Sequence, residues 1–134
     1  MTLRWYTVVV DSHDPQAQAH WWAETLDWQV VFDTPEEAVI LPKTMPMEPI
    51  TDLDAWLRAG QGMVFVPVPE GKTVKNRLHI DLAPHTSQDR DAEIQQLLER
   101  GATHTDVGQT EDDTWTVLAD PEGNEFCVLS SREH

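Results

Sequence analysis

The chain has 134 residues, 40% apolar and 25% charged, a balance that suits one soluble folded domain, 1–134. Nine Lys and Arg stand against 24 Asp and Glu, a formal charge of −15. That argues against nucleic acid or an anionic membrane as partner, since both are bound by cations that neutralise phosphate, and the single cysteine excludes an intrachain disulfide and fits a reducing compartment.

Arg4–Val10 is β-branched and aromatic and predicts a strand. Asp14-Pro15 follows, an N-cap acceptor and a proline suited to the first helical position. Ala19, Trp22 and Leu26 recur at helical spacing; Trp21 and Trp22 are adjacent, so one is expected on the sheet and the other at a dimer interface. Trp28–Phe32 and Ala38–Leu41 predict two strands joined by a polar turn at Asp33-Thr34-Pro35. Lys43–Gly62 reads as a loop carrying a short helix over Asp52–Ala59, either a lid over a pocket or a packed excursion whose Trp56 fills a core edge. Met63–Val68 predicts a further strand, and Pro69-Glu70-Gly71-Lys72 a linker.

The second half repeats that order. Arg77–Leu82 predicts a strand, and Thr86 with Asp89 a capping box before a helix whose apolar stripe is Ile94, Leu97 and Leu98. Gly101 stands where a helix ends, and strands are expected at Thr103–Val107, Trp115–Ala119 and Glu125–Leu129. Asp120-Pro121-Glu122-Gly123 has the chemistry of a tight turn, and Glu111-Asp112-Asp113 that of a solvated one, as has Glu36-Glu37. Each half is thus β-α-β-β-β, module 1 over about 1–70 and module 2 over about 75–131, with Val-Val-Val-Asp at 8–11 and Leu-His-Ile-Asp at 78–81 at matching points.

Several functions lack their motifs. Gly71-Lys72-Thr73 is no phosphate-binding loop, because Val66 stands where that loop needs glycine, and G-x-G-x-x-G, C-x-x-C, H-E-x-x-H and G-x-S-x-G do not occur. Neither a signal peptide nor a membrane span of roughly 20 apolar residues is readable, so a cytoplasmic protein is expected.

The element order, with Lys75-Asn76-Arg77-Leu78-His79-Ile80-Asp81-Leu82 and Asp120-Pro121-Glu122-Gly123-Asn124-Glu125-Phe126-Cys127, resembles the glyoxalase-like domains of the vicinal oxygen chelate superfamily over essentially the whole chain. Glyoxalase I, extradiol dioxygenases, fosfomycin-resistance enzymes and bleomycin-binding proteins belong to that superfamily. The resemblance implies an α+β fold in which two tandem β-α-β-β-β modules form a curved eight-stranded cup, and a homodimer. It also implies a divalent metal held by His, Gln or Glu on the first, fourth, fifth and eighth strands. The matching positions here are Thr7, Val66, His79 and Cys127, of which only His79 is of the usual type. Valine cannot coordinate and a threonine hydroxyl is a poor ligand, so the metal site reads as lost or remodelled and no cofactor is expected.

Strand alternation lists the wall of such a cup. Thr7 brings Trp5, Val66 brings Val64, His79 brings Arg77 and Asp81, and Cys127 brings Glu125. Apolar walls with a polar cluster suit a small organic ligand with one polar end. His79 and Glu125 are the catalytic candidates: His79 as a general base oriented by Asp81 or Glu125, or else as a histidine merely satisfied by a carboxylate. Arg77 reads equally as the structural partner of Asp81 and Glu125, and Cys127 is a nucleophile or a small apolar filler. His13, His20, His85, His104 and His134 read as solvated. Two functions follow: a protein that binds or sequesters a small hydrophobic or amphipathic molecule, or a divergent enzyme. The enzyme would be a metal-free acid–base catalyst around His79, or a metal-dependent lyase, isomerase or dioxygenase with unusual ligands.

Overall fold

The computed structural model describes residues 2–105 and 115–134. The chain divides into two compact units, Met1–Gly71 and Lys72–His134. The Glu111–Asp113 turn and the end of the Thr103–Val107 strand lie outside the described residues.

In the first unit the β-branched run forms β1 (Thr7–Ser12) and the Asp14-Pro15 pair opens α1 (Pro15–Leu26). Asp14 accepts the Ala17 N–H at 3.1 Å, and Pro15, with no N–H to satisfy, takes the first helical position. β2 (Gln29–Thr34) and β3 (Glu37–Leu41) make a hairpin, α2 (Leu53–Arg58) is capped by Asp52, and β4 (Gly62–Pro67) completes the sheet. The strand order is β1-β4-β3-β2, with β1 and β4 parallel. α1 covers one face: Ala38, Ile40 and Phe65 are fully buried, with Ala19 and Trp22 of the helix. Each large apolar side chain so buried contributes about 1.5–3 kcal/mol. Both tryptophans are buried, edge to face at 5.1 Å, so Trp21 is not the free interface residue that its position suggests; its ring is large enough to leave solvent although its Cα lies a quarter-turn from that of Trp22.

The second unit repeats the order as β5 (Ile80–Leu82), α3 (Arg90–Glu99), β6 (Thr103–His104), β7 (Thr116–Ala119) and β8 (Glu125–Val128). Its sheet runs β5-β8-β7-β6, again with the first pair parallel. Two expectations shift. The α3 cap is Asp89, which accepts the Ala92 N–H at 3.2 Å, whereas Thr86 donates to Glu133 at 2.6 Å. β5 begins at Ile80 rather than Arg77, because the Asn76 N–H is taken by the Glu125 carboxylate at 3.0 Å instead of a strand partner. The Asp120–Gly123 turn forms as its residues require: Asp120 accepts the N–H groups of Glu122 and Asn124, both at 3.0 Å, and Gly123 takes a φ of +89°. Among the described residues no helix is long and apolar enough to cross a membrane.

Candidate functional site

The polar cluster sits on β5 and β8 of the second unit. Asp81 and Cys127 are partners in the parallel register, so their side chains share one face of adjacent strands. His79, two residues before Asp81, turns the same ring nitrogen to both: Nδ1 lies 3.0 Å from Asp81 Oδ1 and 3.8 Å from Cys127 Sγ. The His79 and Asp81 side chains are 43% and 45% exposed, while Cys127 is buried. Burial pushes the Cys127 thiol up, and the Asp81 carboxylate that receives its hydrogen bond pushes it further, so it is a protonated thiol at neutral pH.

Glu125 lies elsewhere. Its carboxylate accepts from Lys72 Nζ at 2.8 Å and from the Asn76 N–H at 3.0 Å, with the side chain 12% exposed. Burial pushes its carboxyl up, but the Lys72 and Asn76 hydrogen bonds outweigh that and hold it below the usual range. The carboxylate bonded to His79 is therefore that of Asp81. Arg77 is exposed.

In the first unit the face of the sheet turned away from α1 carries an apolar row across all four strands. Val9 is opposite Val64, Val64 opposite Val39, and Val39 opposite Phe32. Val9 and Phe32 are 58% and 50% exposed, with Val64 and Val39 half-buried between them. Val66 is half-buried on the same face, level with Asp11, and Thr7 is level with Gly62. Trp5 lies outside the strand and lines a hollow of about 420 Å³ with Arg4, Trp28, Pro42 and Leu57. The Arg4 guanidinium there contacts the rings of both Tyr6 and Trp56, 5.2 and 5.0 Å from their centroids. α2 is thereby tied to the N-terminal segment.

Sequence reading alone passes over Val9, Val39 and Phe32, and also Lys72. Alternation within β1 relates Val9 to Thr7, but the cross-strand row appears only once the register is known, and Lys72 sits in a linker with no periodicity to mark it.

Two of the four family metal positions, Val66 and Thr7, do not fit that ion. Val66 offers no donor atom, and the Thr7 hydroxyl donates to the Val8 carbonyl at 3.4 Å. The donors that do come together are His79, Asp81 and Cys127, whose ligand atoms all lie within 4.8 Å of one another.

The family described as the glyoxalase-like domain matches residues 7–129. Among curated proteins, none matches. Solved structures share the fold at low identity. A possible glyoxalase from Bacillus cereus aligns at a TM-score of 0.63 and 13% identity over 96% of this chain and 99% of that one. The fosfomycin resistance protein FosX of Listeria monocytogenes, complexed with Mn(II) and 1S,2S-dihydroxypropylphosphonic acid, aligns at 0.67 and 8% over 98% and 93%. The bleomycin-binding protein of Streptomyces verticillus, complexed with copper(II)-bleomycin, aligns at 0.55 and 16% over 98% and 100%.

Proposed function

Since the chain belongs to the glyoxalase-like domain family, we propose that it binds a small hydrophobic or amphipathic molecule, and does so without the family's usual set of metal ligands. The observation that carries this reading is the Val9–Val64–Val39–Phe32 row, an apolar strip left open on the sheet face that α1 does not cover. Contiguous apolar surface of this kind is characteristic of binding sites. The similar S. verticillus protein is itself a ligand-binding protein. The protein acts as a cytoplasmic homodimer.

The test is a thermal-shift screen of small apolar and amphipathic compounds on the full chain. A compound at 100 times its Kd stabilises the folded state by about 2.7 kcal/mol. Phe32→Ser and Val9→Asp, at exposed positions, are expected to remove that shift while leaving the unliganded melting temperature within a few degrees. Binding that survives both variants would place the ligand elsewhere, and sedimentation of a single 15.3 kDa species would remove the homodimer.

A second reading, a divergent enzyme, is favoured by the 3.0 Å His79–Asp81 hydrogen bond, which can fix the imidazole so that Nε2 takes a proton from a bound molecule. Turnover of a small compound by the full chain, lost in His79→Gln while the fold persists, would move the assignment from binding to catalysis.

A further inference from the structure

We propose that the hollow at one end of the first sheet binds a small aromatic carboxylate, held at its anionic end by Arg4, at a place separate from the Val9–Val64–Val39–Phe32 strip. The topology of the sheet builds this site. β1 and β4 run parallel, β3 runs against β4, and β2 runs against β3, so the residues just before β1, β2 and β4 and just after β3 come to the same end. Those residues are Trp5, Trp28, Gln61 and Pro42, and Leu57 of α2 adds a further wall around about 420 Å³. Small-molecule sites run from about 300 to 1,000 Å³ and are mostly apolar, with a few polar groups that fix orientation. This one offers two tryptophans, two aliphatic walls and the Arg4 and Gln61 side chains. None of Val9, Val39, Val64 and Phe32 lines it, and neither do Thr7, Val66, His79 or Cys127.

Arg4 gives the hollow its charge and its selectivity. Nη2 donates to the Gly60 carbonyl at 2.8 Å, and the Tyr6 and Trp56 rings, with centroids 5.2 and 5.0 Å from the guanidinium carbon, hold the group in place. One donor is left over: Nε is buried and has no hydrogen-bond partner among the described residues. A buried charged donor without an acceptor is unfavourable, and a ligand that brings it an acceptor oxygen removes that penalty. The charge is unpartnered too. Among the described residues no carboxylate forms an ion pair with Arg4, although the chain carries 24 acidic residues for 9 basic ones. A carboxylate meets both needs, because its two oxygens match Nε and a neighbouring terminal N–H of the guanidinium fork after a small turn of the side chain. Trp5 and Trp28 select an aromatic body for the rest of the ligand, since stacked or edge-on rings gain beyond their buried area. A single guanidinium favours one negative charge over the two of a phosphate. The formal charge of −15 repels anions from the surface at large, so a preference for a carboxylate over its neutral analogue has to arise at a local cation.

The experiment titrates naphthalene-2-carboxylate and its neutral amide into the full chain at neutral pH and fixed salt, reading the heat of binding and the tryptophan indole N–H resonances. The expected result is one equivalent of carboxylate bound about tenfold or more tighter than the amide, with shifts of the Trp5 and Trp28 resonances. Arg4→Gln should bring the two affinities together, and Arg4→Lys, which keeps the charge but not the fork, should keep only part of the preference. Phe32→Ser, in the apolar strip, should leave the preference unchanged, which separates a failure of this site from a failure of the strip. No binding of the carboxylate, equal affinity for carboxylate and amide, or a preference that persists in Arg4→Gln or vanishes in Phe32→Ser would each overturn the site. So would carboxylate binding that leaves Trp5 and Trp28 unmoved, a result read on the unsubstituted chain and therefore decisive even where an Arg4 variant fails to fold.

Discussion

Asp33 accepts hydrogen bonds from His20 at 2.7 Å and from Gln16 at 2.9 Å, tying the end of β2 to the exposed side of α1. The His20 hydrogen bond, then that of Gln16, holds its carboxyl below the usual range. A carboxyl depressed on folding adds stability that is complete above the ordinary carboxylate range and lost as pH falls through the folded value. NMR titration is expected to find Asp33 ionising below the other exposed carboxylates, and His20→Ala to return it towards them; an unshifted Asp33 would remove the link. Lys72 and Glu125 are less exposed, at 20% and 12%, so Lys72→Met should lower the unfolding free energy measured in urea by about 1–3 kcal/mol, by leaving the carboxylate without its cation. This pair marks a limit of sequence reading. Alternation places His79 and Asp81 on one face, a relation between near neighbours, but the partner of Glu125 is 53 residues away in a linker and nothing local announces it.

At the scale of elements, what could be read locally is what formed. The Asp14-Pro15 start of α1, the Asp52 helix within the long loop and the Asp120–Gly123 turn are each decided by residues within four positions of one another. Strand limits were less legible, since a strand ends where its partner ends; β5 loses the residues before Ile80 through the Asn76–Glu125 contact. A similar non-local constraint governs Gly62, which starts β4 against β3. A Cβ added there would stand 2.5 Å from Leu41 Cδ2 and 2.7 Å from the Ile40 carbonyl oxygen. The leucine can turn away, but the backbone oxygen cannot. Gly62→Ala should therefore cost about 1–3 kcal/mol despite the smaller entropy lost on folding. Gly60→Ala, whose Cβ would meet only side-chain atoms at 3.6 and 3.9 Å, should be neutral or slightly stabilising. Equal denaturation midpoints for the two variants would contradict the close approach.

For the whole molecule, the two units carry the same strand order, β1-β4-β3-β2 and β5-β8-β7-β6, each with its first pair parallel. That order was legible because Val-Val-Val-Asp and Leu-His-Ile-Asp mark the same strand in each half, although little else in the two sequences agrees. Repetition of order without repetition of side chains lets one sheet present an apolar strip and the other a polar cluster. The charge is a property of neither unit alone. With 24 acidic residues against 9 basic ones, most carboxylates have no basic residue to pair with, and their mutual repulsion opposes the compact state. At 0.01 M salt the screening length is about 30 Å, so exposed carboxylates repel across the width of a small domain; at 0.15 M it is about 8 Å, and the repulsion is confined to neighbours. Few attractive surface pairs are lost to screening in exchange, since exposed ion pairs contribute about 0–1 kcal/mol each. The melting temperature is therefore expected to rise between these two salt concentrations. Charge-reducing variants at exposed acidic positions, such as Glu36→Gln with Glu37→Gln, should raise it at low salt and less at 0.15 M. A melting temperature that falls with salt would mean that attractive pairs outweigh the net repulsion.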